Sequence, residues 1–254
     1  MTTPADVDRV ERPAWWTQIA LIVAGLWIYD YIANLSPLRR AAALANGTAI
    51  LRFEERLHIN PELVLNEILI AHQGIGRVLA DYYNLAHFVV TLGILGWAYW
   101  RHPGQFRMLR NALIVMNAIG LIVYWLYPVA PPRMLTAVGY VDIGVVTHSF
   151  GSATQNATIA AHANEFAAMP SLHVAWALWC VFAAWIIWRS WGARVLVALH
   201  FVATSVVIMA TANHYLLDAV AGVATGAVGI FVAEAWARRR ATKVQPAPVE
   251  VPVT

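Results

Sequence analysis

Three short clusters hold most of the polar chemistry of this sequence: Pro131-Pro132-Arg133-Met134-Leu135, Met169-Pro170-Ser171-Leu172-His173 and Asn213-His214-Tyr215-Leu216-Leu217-Asp218. His214 and Asp218 stand four residues apart, so on a helix they share one face and their side chains can meet. An imidazole whose ring and tautomer are fixed by a carboxylate is suited to act as nucleophile or base. Pro170-Ser171 reads as a helix start, where free N–H groups and the helix dipole favour an anion. Arg133 can offer planar, bidentate hydrogen bonds to the same anion. Two histidines, a carboxylate, an arginine and a helix N-terminus together predict phosphoryl transfer. In this reading His214 attacks phosphorus, and Asp218 orients it and offsets its positive charge. His173 protonates the leaving oxygen and then activates an acceptor, water or an alcohol. Neither a metal nor another cofactor is required, because Arg133 and backbone donors can offset the phosphoryl charge. Two other readings stay open: His173, His214 and Asp218 as zinc ligands, and the polar cluster as the anion site of a transporter or binding protein.

The elements that must position these residues are membrane spans. Of 254 residues, 60% are hydrophobic and only 12% charged, about half the roughly 25% of a soluble domain. That excludes a disordered chain and an ordinary soluble enzyme. A single cysteine, Cys180, excludes an internal disulfide. Six stretches have the length to cross a hydrocarbon core of roughly 30 Å: 15–35, 80–100, 110–128, 171–191, 195–212 and 215–236. The first is read as a retained span rather than a signal peptide. Between the first two, Asn60-Pro61-Glu62 predicts the start of an interfacial helix, with Asn60 as N-cap and Pro61 at the first helical position. The expected fold is therefore an all-α polytopic bundle of six transmembrane helices plus an interfacial helical segment. Residues 1–14 form a short N-terminal segment, and 237–254 form a disordered tail containing Pro246, Pro248 and Pro252.

The basic residues give an orientation. Eleven of 17 fall on the side that holds both termini, and six on the other, of which only Arg133 lies in the third connection. The positive-inside rule then places the termini in the cytoplasm and all three polar clusters at the outer boundary. From His173 to His214 the chain crosses twice and returns to the face it left. No basic-aromatic patch suggests nucleic acid. His87 and His200 read as buried hydrogen-bonded histidines rather than a haem-ligating pair, and Gly222, Gly226 and Gly229 as close helix packing.

The motifs resemble those of the type 2 phosphatidic acid phosphatase superfamily, whose signature runs K-x6-R-P, P-S-G-H and S-R-x5-H-x3-D. Pro170-Ser171-Leu172-His173 is similar to the second motif, and His214 with Asp218 to the end of the third. The likeness covers about residues 80–236 and implies the roles given above to His173, His214 and Asp218. It also implies a membrane phospholipid or polyprenyl phosphate substrate. Several positions depart from it. Leu126 stands in place of the first motif's lysine and Met134 in place of its proline. Leu172 replaces the second motif's glycine, and Val207-Ile208 the serine and arginine of the third. In these forms the motifs resemble the inositol phosphorylceramide synthase branch, which implies transfer of a phosphorylated head group between lipids in preference to hydrolysis. Ser171 and Asn213 are then candidate phosphate ligands beside Arg133, and Asp142 a candidate head-group contact.

Overall fold

The structure, a computed structural model, describes residues 12–35, 39–152, 154 and 165–244. Among them are nine α-helices: α1 Trp15–Leu35, α2 Arg40–Leu57, α3 Glu62–Ala71, α4 Gln73–Arg101, α5 Pro103–Leu126, α6 Ile143–Val146, α7 Leu172–Ile187, α8 Trp191–Ala210 and α9 Leu216–Val244. The architecture is all-α. Four helices, α4, α5, α8 and α9, are long and apolar enough to cross a bilayer, and α7 is a shorter apolar helix. The six expected stretches all fall on helices, but their limits move. Helix α4 starts seven residues before Ala80, at Gln73, and α7 stops at Ile187 rather than Trp191. Helix α9 continues to Val244, past the expected start of the tail, whose remaining residues, 245–254, lie outside the described residues, as do 1–11.

The segment between the first two expected spans holds two helices rather than one. Helix α2 lacks an apolar run because Arg40, Arg52, Glu54, Glu55 and Arg56 interrupt it, yet it buries Ala43, Gly47, Ile50, Leu51 and Glu54 along one face. It ends where His58 adopts a left-handed backbone (φ 55°) and its N–H returns to the carbonyls of Glu54 and Glu55, a common way to satisfy terminal carbonyls. Helix α3 begins at Glu62, with Pro61 at the cap position and no side-chain cap bond. The predicted Asn60 cap is thus displaced by one residue: the Pro61 carbonyl accepts from Leu65 N–H at 3.0 Å, so Pro61 occupies the half-in position that Asn60 was expected to hold.

The centre of the bundle is built around Trp179 of α7, which is fully buried with its indole N–H donating to the Leu109 carbonyl of α5 at 2.9 Å. Leu109, Met116, Ala175, Cys180 and Ala183 pack around it. Helix α9 lies against both α5 and α7, and its small residues face inward. Gly222 and Gly226 abut Ser171, Val174 and Ala175 of the α7 region, and Gly229 abuts Ala112 and Met116 of α5. The predicted small-residue stripe therefore serves internal packing. Large side chains such as Val89, Leu196 and Phe231 remain exposed, giving the bundle the apolar outer surface that a hydrocarbon environment accepts.

Candidate active site

The site forms at one end of the bundle, where α7 and α9 begin and the chain leaves α5. Three backbone ties draw these segments together. Val129 N–H donates to the Phe166 carbonyl at 2.9 Å, and Ala168 N–H returns to the Val129 carbonyl at 3.3 Å. Arg133 N–H donates to the Ala212 carbonyl at 2.9 Å. Ser171 N–H donates to the Asp218 carbonyl at 3.0 Å, joining the first turns of α7 and α9. Behind this strap, Tyr124 Oη donates to the Pro170 carbonyl at 2.8 Å and Tyr215 Oη to the Ala130 carbonyl at 3.0 Å.

His214 precedes α9 at the turn where Asn213 N–H and His214 N–H both donate to the Ile208 carbonyl. It is buried, and its Nδ1 lies 2.7 Å from the Ala168 carbonyl and 3.4 Å from Asp218 Oδ2. A carbonyl can only accept, so Nδ1 carries a ring proton, and in the neutral imidazole the lone pair is on Nε2. The sequence assigned orientation of this ring to Asp218. In the structure the shorter bond is to a backbone carbonyl that spacing could not reveal. Asp218 Oδ2 instead accepts Tyr215 N–H at 2.9 Å, which fixes the first turn of α9, while staying within ion-pairing reach of the imidazole.

His173, on the first turn of α7, presents its ring edge-on to His214 with centroids 5.6 Å apart. Tyr83 of α4 stacks on His173 at 4.4 Å, and His87 meets it edge-on at 4.2 Å. The two histidines separated by two crossings in the sequence are thus neighbours. His87 Nδ1 is 3.0 Å from the Tyr83 carbonyl, and His200 Nδ1 is 2.6 Å from Tyr82 Oη, consistent with buried, hydrogen-bonded rings. Among the described residues no three of His, Cys, Asp and Glu are disposed to hold a metal ion, so the zinc alternative gains no geometric support.

Arg133 reaches Asn213 Oδ1 through Nη1 and Asp142 Oδ2 through Nε at 3.2 Å. Asn213 in turn donates to Thr211 Oγ1 at 2.9 Å. Asp142, the expected head-group contact, here is the counter-ion of Arg133, and its Oδ1 caps α6 by accepting Val145 N–H at 3.1 Å. Ser171 is fully buried at the head of α7 with an unpartnered hydroxyl, beside the free N–H groups that any helix start provides. Arg133 and the head of α7 each offer donors of the kind an anion requires, at the same end of the bundle as His214.

Four of the five departures from the motif have structural counterparts. Leu126 is exposed at the end of α5, while Val207 and Ile208 are buried, with Ile208 packed among Val174, Met209 and Ala219. Leu172 rests on Gly120 of α5, where an added Cβ would lie 2.9 Å from a Leu172 methyl. Sequence reasoning missed Tyr83, the Ala168 carbonyl and Glu54, and gave Glu62 only a helix-start role. Glu54 and Glu62 are both fully buried against the start of α9. Their signal was two carboxylates in an amphipathic segment flanking the spans.

Comparison with known families matches residues 48–232 to a family model of the PAP2 superfamily. This match begins within α2, some thirty residues before the motif likeness, and takes in both Glu54 and Glu62. No curated protein and no solved structure matches the chain.

Proposed function

The chain belongs to the PAP2 superfamily, and we propose that within it the protein transfers a phosphorylated head group between lipids at the outer leaflet through a phosphohistidine on His214. Membership implies a membrane phosphatase or phosphotransferase type of activity on lipid phosphates. The observation that carries the finer reading is the 2.7 Å bond between His214 Nδ1 and the Ala168 carbonyl, which leaves Nε2 as the nucleophilic nitrogen.

In the first step Nε2 attacks phosphorus in line, the P–O bond to the leaving group breaks, and His173 delivers a proton to the departing oxygen. Asp218, 3.4 Å from Nδ1, offsets the charge on the phosphorylated ring. In the second step His173 removes the proton of an acceptor hydroxyl, which displaces His214 from phosphorus. Arg133, Asn213, Ser171 and the α7 N–H groups hold the non-bridging oxygens. Helices α1 and α7 complete six spans, with both termini cytoplasmic. Helix α7 has 16 residues, or about 24 Å, short of the roughly 30 Å core; its head, and the site, then lie just below the interface, within reach of a lipid phosphate.

Transfer is favoured over monoester hydrolysis by the cation count. A phosphodiester carries one negative charge, whereas a phosphomonoester carries about 1.5 to 2 at neutral pH, and Leu126 and Ile208 stand where two further cations of the motif would be. The test is trapping with lipid donors labelled at phosphorus, in vesicles containing purified protein. Acid-labile label is expected on the wild type and absent from His214→Ala. Label retained by His214→Ala overturns the nucleophile, and phosphate binding without label or turnover supports a binding protein instead.

A further inference from the structure

Glu54 of α2 and Glu62 of α3 are fully buried, and both reach the first turn of α9. Glu54 Oε1 accepts Leu217 N–H at 2.7 Å, and Glu62 Oε1 accepts Leu216 N–H. Asp218 Oδ2 accepts the preceding donor, Tyr215 N–H, at 2.9 Å. Three consecutive backbone donors immediately after His214 therefore end on three different carboxylates. A helix start leaves four N–H groups without intrahelical partners, and each buried charge is costly unless it is paired. Two of the three carboxylates that meet those donors come from more than 150 residues upstream, and so tie α2 and α3 to the turn that carries His214.

We propose that Glu54 and Glu62 are positioning residues, a proton-sharing carboxylate clamp that holds the first turn of α9 and so sets His214 and Asp218, and that loosens when the shared proton is lost. The inference rests on the reading of His214 as nucleophile. Glu54 Oε2, Glu62 Oε2, Asp218 Oδ1 and the hydroxyl of buried Tyr140 have no hydrogen-bond partner, and among the described residues no lysine or arginine forms an ion pair with Glu54 or Glu62. Burial raises the Glu54 carboxyl to about 8, with the charges of Glu62 and Asp218 adding to the effect against the Leu217 N–H bond, and burial raises Glu62 as well. Near neutrality burial therefore keeps a proton on the pair, which titrates as a unit.

The groups facing this proton come from every side. They are Glu54 and Glu55 of α2, Glu62 of α3, Tyr140 of the outer connection, and Tyr215 and Asp218 at the head of α9. None is a lysine or arginine. Removing the proton places two adjacent anions beside Asp218, and their repulsion is relieved only by separating α2 and α3 from the turn that carries His214.

The experiment measures pH profiles of kcat and KM, and the rate of acid-labile labelling, for wild type, Glu54→Gln, Glu54→Ala, Glu62→Gln and Glu62→Ala. Glutamine keeps the acceptor oxygen but cannot ionise. An alkaline fall in kcat is expected of the wild type as the clamp titrates, and Glu54→Gln is expected to retain neutral-pH turnover and to lack that fall. The alanine variants are expected to lose at least about tenfold in kcat and labelling rate, with KM changed far less, and Glu62→Gln to recover most of that loss. Wild-type pH dependence in Glu54→Gln, or full kcat in Glu54→Ala, overturns the clamp. Where alanine prevents folding, the glutamine profiles decide alone, since a purely structural role lowers the melting temperature without moving the alkaline limb. Label absent from His214→Ala but unaffected in rate by the clamp variants sinks the clamp only; label present in His214→Ala sinks the nucleophile reading beneath it.

Discussion

Gly222 offers a direct way to perturb the site through its packing. A Cβ placed there would lie 2.4 Å from the Ser171 carbonyl oxygen and 3.1 Å from Val174 Cβ. Neither neighbour is a flexible side-chain end, so to reach even a 3.0 Å contact α9 and the head of α7 must part by at least 0.6 Å, the difference between 3.0 and 2.4. The movement falls on the Ser171 N–H to Asp218 carbonyl bond, one helical turn away. Overpacking of this kind costs about 1–3 kcal/mol, and alanine's helix propensity returns at most about 1 kcal/mol, so the expected stability loss is modest. The effect on rate is larger, because a misplacement approaching 1 Å near reacting groups costs roughly a hundredfold. Gly229→Ala is the matched control: its Cβ would meet the Ala112 carbonyl oxygen at 2.9 Å, on the same helix but against α5 and away from the site. Thermal unfolding in detergent and labelling kinetics are compared for the two variants. Gly222→Ala is expected to slow labelling by about ten- to a hundredfold, and Gly229→Ala to alter stability with little change in rate. Equal rates for Gly222→Ala and wild type would refute the proposed coupling between the α7–α9 contact and His214.

Leu172→Gly removes the side chain that fills the space over Gly120 and is expected to cost about 2 kcal/mol or more; Gly120→Ala destabilises on its own but restores part of that loss in the double variant, read by a thermal unfolding cycle. Glu54 stays protonated in the folded protein between its ordinary value of 4.5 and about 8, while the unfolded chain has already ionised there. Folded stability therefore falls as pH rises through that window, with a slope of at most about 1.4 kcal/mol per pH unit, and Glu54→Gln flattens it; denaturant unfolding at several pH values provides the check. Asp142→Asn keeps the α6 cap but frees Arg133 from a partly exposed ion pair worth about 0–1 kcal/mol, so KM for an anionic lipid is expected to fall by up to roughly fivefold. A KM that rises in Asp142→Asn would return Asp142 to the head-group contact expected from the sequence.

The parts of the fold legible in the sequence were those written in hydropathy. Residues 80–100, 110–128, 195–212 and 215–236 lie on long helices because runs of apolar side chains leave the backbone no other way to satisfy itself in lipid. Helix α2 was not legible, since Arg52, Glu54, Glu55 and Arg56 obscure its pattern and its buried face is recognised only against the head of α9. At the site, two crossings between them led to the expectation that His173 and His214 share one face, at a distance the sequence does not give; their rings lie 5.6 Å apart. Spacing also paired His214 with Asp218 correctly as neighbours, at 3.4 Å. It could not identify the Ala168 carbonyl, because a backbone acceptor is the same at every position. Nor could it tell that Asp142 faces Arg133, since that contact depends on how the connection after α5 folds back.

The distribution of charge around the proposed nucleophile explains why the site can work with few cations. Arg133 is already balanced by Asp142, and the start of α9 is saturated by three carboxylates that accept its first N–H groups. The first N–H groups of α9 are therefore taken up by protein carboxyl groups, whereas the head of α7, with the unpartnered Ser171 hydroxyl, faces no carboxyl side chain in its own first turn. Two helix N-termini meet at this end of the bundle with different partners: the first N–H groups of α9 end on carboxyl groups, and in the proposed reading the head of α7 is left for substrate. Where the motif's arginine position is occupied by Ile208, packed among Val174, Met209 and Ala219, an arginine side chain would have to displace the core that supports this division. The apolar residue at 208 and the carboxylates at 54 and 62 are then two sides of one proposed arrangement, in which α2 and α3 would hold the proposed nucleophile and α7 and Arg133 would take the phosphate.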